Sequence, residues 1–203
     1  MIEKEKYSLT EHYHRYACWT AAQAIRRAVN GAKLGLKKTS FISDLFVIGK
    51  PSEITINQQK VTTINLLDKI LSINAETEDE FKKYHINTSR SIIKALNDIT
   101  DKDAYTYGIA AKIIGIYFKT IILSMPITIS GKLIEVIHPP IDSILLENIA
   151  KHGKGKIRFK NENIKKVKWS KLNEKDYWAL IETLKIWKYP ISWRLEEHWT
   201  LSN

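Results

Sequence analysis

The chain has 203 residues, 44% of them hydrophobic, and a formal net charge of +10. That is enough apolar material for one core, with an excess of positive charge that favours polyanionic partners. No apolar leader opens the sequence and Lys119 interrupts the longest apolar stretch, which argues against secretion and membrane insertion and predicts a soluble, cytoplasmic, monomeric protein.

Ser8-Leu9-Thr10-Glu11 has capping-box spacing, so a helix is expected from there to about Val29. One of its faces carries Tyr13, Ala17, Ala21, Ala24 and Ala28, small enough for close packing. Another carries His12, Tyr16, Trp19, Gln23 and Arg26. An aromatic stripe at this spacing reads first as core; the alternative is a pocket in which an extruded base stacks on an aromatic and is read by polar groups. Residues 31–60 hold Gly31, Gly35, Gly49, Pro51 and a β-branched run from Glu53 to Asn57, predicting loop with one short hairpin. Amphipathic helices are expected over Val61–Ile73 and over Thr77–Ile99, the second with acidic residues 78–80 in its first turn.

Thr100-Asp101-Lys102-Asp103 breaks the pattern. Gly108 then offers a turn, and the apolar run Ile109–Leu123 is long enough for a helix buried on most faces, placing Lys112 in its first turn. Pro126 is expected to end that helix. Pro139-Pro140 force an extended approach to another helix that starts at about Asp142. Between Lys151 and Lys171 stand nine basic residues and one acidic one, Glu162, so this segment supplies +8 of the net charge. Clustering of that kind is the footprint of polyanion binding, and it nominates Lys154, Lys156, Arg158, Lys160, Lys165, Lys166 and Lys168 as DNA contacts. A last long helix is expected from Trp169 through Trp187, and five of the six tryptophans lie in this final third.

Gly108-x-Ala110-x-Lys112 followed by Pro140-x-Asp142 resembles the signature of the helix-hairpin-helix superfamily of DNA glycosylases, in particular the 8-oxoguanine glycosylase and endonuclease III branches. The resemblance implies a mainly α-helical, single domain over residues 1–203, with two lobes flanking a DNA cleft and the hairpin and catalytic element at about 101–152. Gly108 matches the first hairpin glycine, Ala110 stands where the family has a second, Lys112 matches the catalytic lysine and Asp142 the catalytic aspartate. Thirty residues separate the last two, so the resemblance also implies an insertion around Pro126–Ile137. The lone cysteine, Cys18, rules out the four-cysteine iron-sulfur cluster of many endonuclease III relatives and points to the cluster-free branch.

The chemistry that the resemblance implies is excision of a damaged or modified base from double-stranded DNA. Asp142 would stabilise positive charge developing on the sugar, and Lys112 would attack it as an amine in a glycosylase with lyase activity. Backbone amides at Gly108 and Ala110 would hold a phosphate, with Lys119 and His138 as further DNA contacts. Expected substrates are oxidised guanine or a hypermodified phage base such as glucosylated hydroxymethylcytosine, hence repair or antiviral defence. The rival expectation is a non-catalytic DNA-binding module in which Lys112 contacts phosphate and Asp142 caps a helix. Neither a metal nor another cofactor is expected, because the six histidines show no ligand spacing joined to Cys or carboxylate partners.

Overall fold

The computed structural model describes residues 8–31, 41–68, 77–100, 104–124, 135–187 and 193–199. It is mainly helical, and the long helices begin where local chemistry favours them. Helix α1, Leu9–Gly31, starts after Ser8, whose hydroxyl accepts the Glu11 amide at 3.1 Å. After the short α2, Phe41–Leu45, strands β1 (Glu53–Ile56) and β2 (Gln59–Thr62) form an antiparallel hairpin. Its Asn57-Gln58 turn has both residues at positive φ, the geometry that matches strand twist in a two-residue loop.

Helix α3, Glu78–Thr100, opens on a reciprocal capping box: Thr77 N donates to the Glu80 carboxylate at 3.1 Å and Glu80 N to the Thr77 hydroxyl at 3.3 Å. Helix α4, Tyr107–Ser124, follows, and helix α5, Ser143–His152, comes after the Pro139-Pro140 segment. The basic segment folds as a small hairpin, β3 (Arg158–Phe159) and β4 (Glu162–Asn163), then two 3-10 turns at Ile164–Lys166 and Trp169–Lys171. Helix α6, Glu174–Trp187, is capped by the Asn173 side chain, which accepts Asp176 N at 2.8 Å. A 3-10 turn at Trp193–His198 ends the described chain.

Helix α4 is the hub and is buried nearly all round, packing against α1, α3, α6 and the 169–171 turn. The buried apolar residues divide into two clusters. One gathers α1, α2, α3 and the face of α4 that carries Ile113, Tyr117 and Ile121; the other gathers α5, α6 and the basic hairpin around Tyr107 and Ala111. Ile93 and Trp169 pack against both.

Two expectations need correction. Val61 and Thr62 lie in β2 rather than in a helix, because pairing with β1 overrides the local periodicity; residues 63–65 are also non-helical, residues 66–68 are helical, and 69–73 lie outside the described residues. The last helix starts at Glu174 instead of Trp169, since residues 169–171 turn back onto α4. The expected stop at Pro126 and break at 101–103 also fall outside the described residues.

Candidate active site

Lys112 and Asp142, thirty residues apart in sequence, meet in space. The ammonium of Lys112 donates to Asp142 Oδ2 at 3.2 Å, and the two residues are 7% and 8% exposed. Gly115 explains the approach. It lies one turn after Lys112 on α4, and a side chain there would stand 3.1 Å from the backbone of Pro140, so its absence lets the extended proline segment lie against the helix. Asp142 then divides its two oxygens. Oδ1 caps α5 by accepting Leu145 N at 2.9 Å, whereas Oδ2 takes Lys112 and also the Trp199 indole N–H at 3.2 Å.

Trp169 forms the other wall, with the Lys112 ammonium 4.4 Å from its ring centroid. Its turn is seated on the start of α4. An ideal Cβ on Gly108 would fall 1.9 Å from the Trp169 carbonyl oxygen, Gly108 N donates to Leu172 O at 3.0 Å, and Thr106 Oγ1 donates to Ser170 O at 2.8 Å. Gly108 is therefore required for close packing, and its amide is occupied. Those of Ile109 and Ala110 are taken by the Thr106 hydroxyl and carbonyl. This corrects the expected phosphate-holding role of Gly108 and Ala110: both are buried and both amides are already bonded within the protein.

Lys112 lies in the second turn of α4 rather than the first, so burial rather than the helix dipole dominates its ionisation. Burial pulls its pKa below the ordinary lysine value, while the Asp142 carboxylate and, more weakly, Glu196 oppose the shift. An amine less basic than usual, in contact with a carboxylate, has the makings of a nucleophile, a proton carrier or an electrostatic stabiliser.

The remaining expectations divide. Lys119 lies on the Lys112 stripe but is ion-paired with Glu196, 5.9 Å from the Trp199 ring. His138, expected at the DNA surface, is 3% exposed in the core, 5.1 Å from the Phe81 ring and 5.2 Å from the Trp178 ring between centroids; burial holds it neutral, with a pKa well below the ordinary value. It can touch no DNA there. His12, Tyr16, Trp19 and Gln23 lie on the outer face of α1, with Tyr16 49% and Trp19 55% exposed and stacked on one another, so they are neither core nor an enclosed base pocket.

Lys154, Lys156, Arg158, Lys160, Lys165, Lys166 and Lys168 are exposed, as a polyanion surface requires. Lys160 is ion-paired with Asp176 at 2.7 Å, and Arg158 donates to the Asn161 carbonyl at 3.1 Å. A cleft of about 240 Å³ lies among Lys151, Lys154, Gly155, Asn163 and Lys165.

Gly115, Trp169, Glu196 and Trp199 belong to the site but were not singled out for it. The one available signal was the seven-residue spacing of Gly108 and Gly115, which places both on one helical stripe beside Lys112. Among the described residues, no group of three or more His, Cys, Asp or Glu side chains is placed to hold a metal ion, and no helix is long and apolar enough to cross a membrane. No family model, curated protein or solved structure matches the chain.

Proposed function

We propose that this protein is a DNA glycosylase of the helix-hairpin-helix type that excises a damaged or modified base from double-stranded DNA, acting as a monomer in a prokaryotic cytoplasm. The observation that carries the reading is the buried contact of Lys112 with Asp142 at the start of α5. In the forward reaction the glycosidic C1′–N bond breaks, the base leaves with the bonding electrons and takes up a proton, and positive charge grows on the sugar. Asp142 faces that charge and stabilises it more in the transition state than in the ground state. Lys112, as the free amine, bonds to C1′ in place of the base and loses a proton; the C1′–O4′ bond then breaks, O4′ takes up a proton, and the ring-opened Schiff base allows the strand to be cleaved. The exposed lysines of 154–168 hold the phosphate backbone. Oxidised guanine and glucosylated hydroxymethylcytosine are the substrate classes to try first, corresponding to repair and to antiviral defence.

The second reading, a non-catalytic DNA-binding module, is favoured by a specific observation: Asp142 is an N-cap and its other oxygen is satisfied by Lys112 and Trp199, which is sufficient structural reason for the residue. Base release separates the two. Duplexes carrying 8-oxoguanine or glucosylated hydroxymethylcytosine are incubated with wild type and Asp142→Asn, and melting is followed in parallel. Released base from wild type, lost in a variant that remains folded at the assay temperature, supports the enzyme. Tight duplex binding without release, in a protein whose Asp142→Asn variant only melts earlier, supports the module.

A further inference from the structure

The residues that cover the candidate pair come from the end of the described chain. Turn Trp193–His198 and Trp199 lie across the Lys112–Lys119 stripe of α4. Polar contacts hold this segment. Trp199 Nε1 donates to Asp142 Oδ2 at 3.2 Å, Glu196 pairs with Lys119, and Trp199 N closes the turn on Glu196 O at 2.7 Å. Arg194 donates to Glu135 at 2.9 Å, and the His198 ring lies 4.6 Å from that of His152. Leu195, 3% exposed, is the apolar peg of the segment, whereas Trp199 at its far end is 36% exposed. Beneath this cover, Lys112 and Asp142 are too enclosed to admit a sugar between or beside them.

We propose that Glu196–Trp199 is a strap that closes the Lys112–Asp142 site in the free protein and is displaced when substrate enters, with Leu195 as its fixed end. The inference rests on the reading of that pair as a reacting site. The strap holds one reacting group and the lysine next along the stripe: its indole occupies the carboxylate oxygen that faces the amine, and its glutamate pairs with Lys119. The Glu196 charge also favours the protonated form of Lys112, so moving it away leaves a less basic amine beside the incoming sugar. A phosphate arriving at Lys119 competes for the cation that Glu196 holds, which couples DNA docking to opening.

The test needs no knowledge of the substrate. The full chain is acylated lightly with an N-hydroxysuccinimide ester, and the rate at Lys112 is followed by peptide mass spectrometry against exposed Lys83 as internal reference. Wild-type Lys112 is expected to react far more slowly than Lys83. Trp199→Phe, which removes only the indole donor, and Glu196→Gln are each expected to speed Lys112 by about fivefold, the change in open population from losing one tether of ordinary hydrogen-bond strength. Lys112 that reacts as fast as Lys83 in wild type, or at the wild-type rate in both variants, overturns the strap. If a duplex is turned over, the single-turnover rate of Trp199→Phe is expected to equal or exceed that of wild type; a slower rate with unchanged labelling makes Trp199 a positioning residue for Asp142 and also overturns the strap. Faster labelling without base release from any duplex keeps the strap and removes the enzymatic reading.

Discussion

Asp142 serves two masters with its two oxygens, and substitutions separate them. Asparagine is as good an N-cap as aspartate, so Asp142→Asn keeps the bond to Leu145 N and removes only the charge opposite Lys112. Lys112, already depressed by burial, then sheds its proton rather than remain a lone buried cation. Asp142→Ala removes cap and charge together. Urea denaturation at pH 7 is expected to show Asp142→Ala destabilised by roughly 3–5 kcal/mol, the usual cost of breaking a buried pair from one side, and Asp142→Asn by less than half of that. Equal losses would mean that the charge, not the cap, dominates stability here. The pair itself was legible in the sequence because lysine and aspartate each carry a local signature, a glycine four residues before one and a proline approach before the other. Trp169 and Trp199 were not, since a tryptophan's partner is chosen by tertiary packing and no local pattern announces it.

At the scale of elements, the helix starts were the most readable features. Ser8 and Thr77 cap α1 and α3 through side chains three residues from the amides they serve, so the information is local. What the interior of α3 packs against was not readable. His85 lies wholly buried among Tyr107, Tyr177 and Trp178, in a chain of hydrogen bonds in which Trp178 Nε1 donates to the Tyr107 hydroxyl at 3.0 Å and that hydroxyl lies 2.8 Å from His85 Nδ1. His138 lies beside it at a tilt of 44°, 6.0 Å away between centroids. Burial lowers the His85 pKa to about 3 and that of His138 well below its ordinary value of 6.5. Both are neutral when folded, while the unfolded chain takes up their protons below pH 6.5. Their contribution is therefore fully present above that pH and is lost as pH falls toward the folded values. Between pH 6.5 and 5 the loss is up to roughly 2 kcal/mol for each histidine. Urea midpoints measured at pH 7 and pH 5 are expected to fall accordingly, and less steeply in His85→Phe. A pH-independent midpoint would place these rings in water.

The whole molecule presents a basic surface from Lys151 to Lys171 next to a nearly sealed site on α4. The charge was plain in the sequence because formal charge needs no fold to be counted. Its division was not: Lys160 is spent on Asp176 and Lys151 on Glu147, whereas among the described residues Lys154, Lys156, Lys165, Lys166 and Lys168 have no ion-pair partner. With the amides of Gly108, Ile109 and Ala110 occupied, the proposed duplex binding is expected to draw chiefly on these five. Duplex affinity is then expected to fall with salt at a log–log slope of about −4 to −5, and replacing Lys165 and Lys166 by Gln is expected to flatten it by about 2. A slope near zero, or one unmoved by the double substitution, would remove the hairpin from the DNA interface. The glycine resemblance had pointed to the wrong phosphate holder because Gly108 is required for the Trp169 turn, a contact made 61 residues away in sequence.

The central claim is that Lys112, held by Asp142, is a reacting amine. Borohydride trapping addresses it most directly, on duplexes carrying an abasic site, 8-oxoguanine or glucosylated hydroxymethylcytosine, with wild type and Lys112→Gln compared. The account predicts a covalent protein–DNA adduct with wild type that is absent with Lys112→Gln. An adduct that persists in Lys112→Gln, or no adduct on any of the three duplexes, would contradict it.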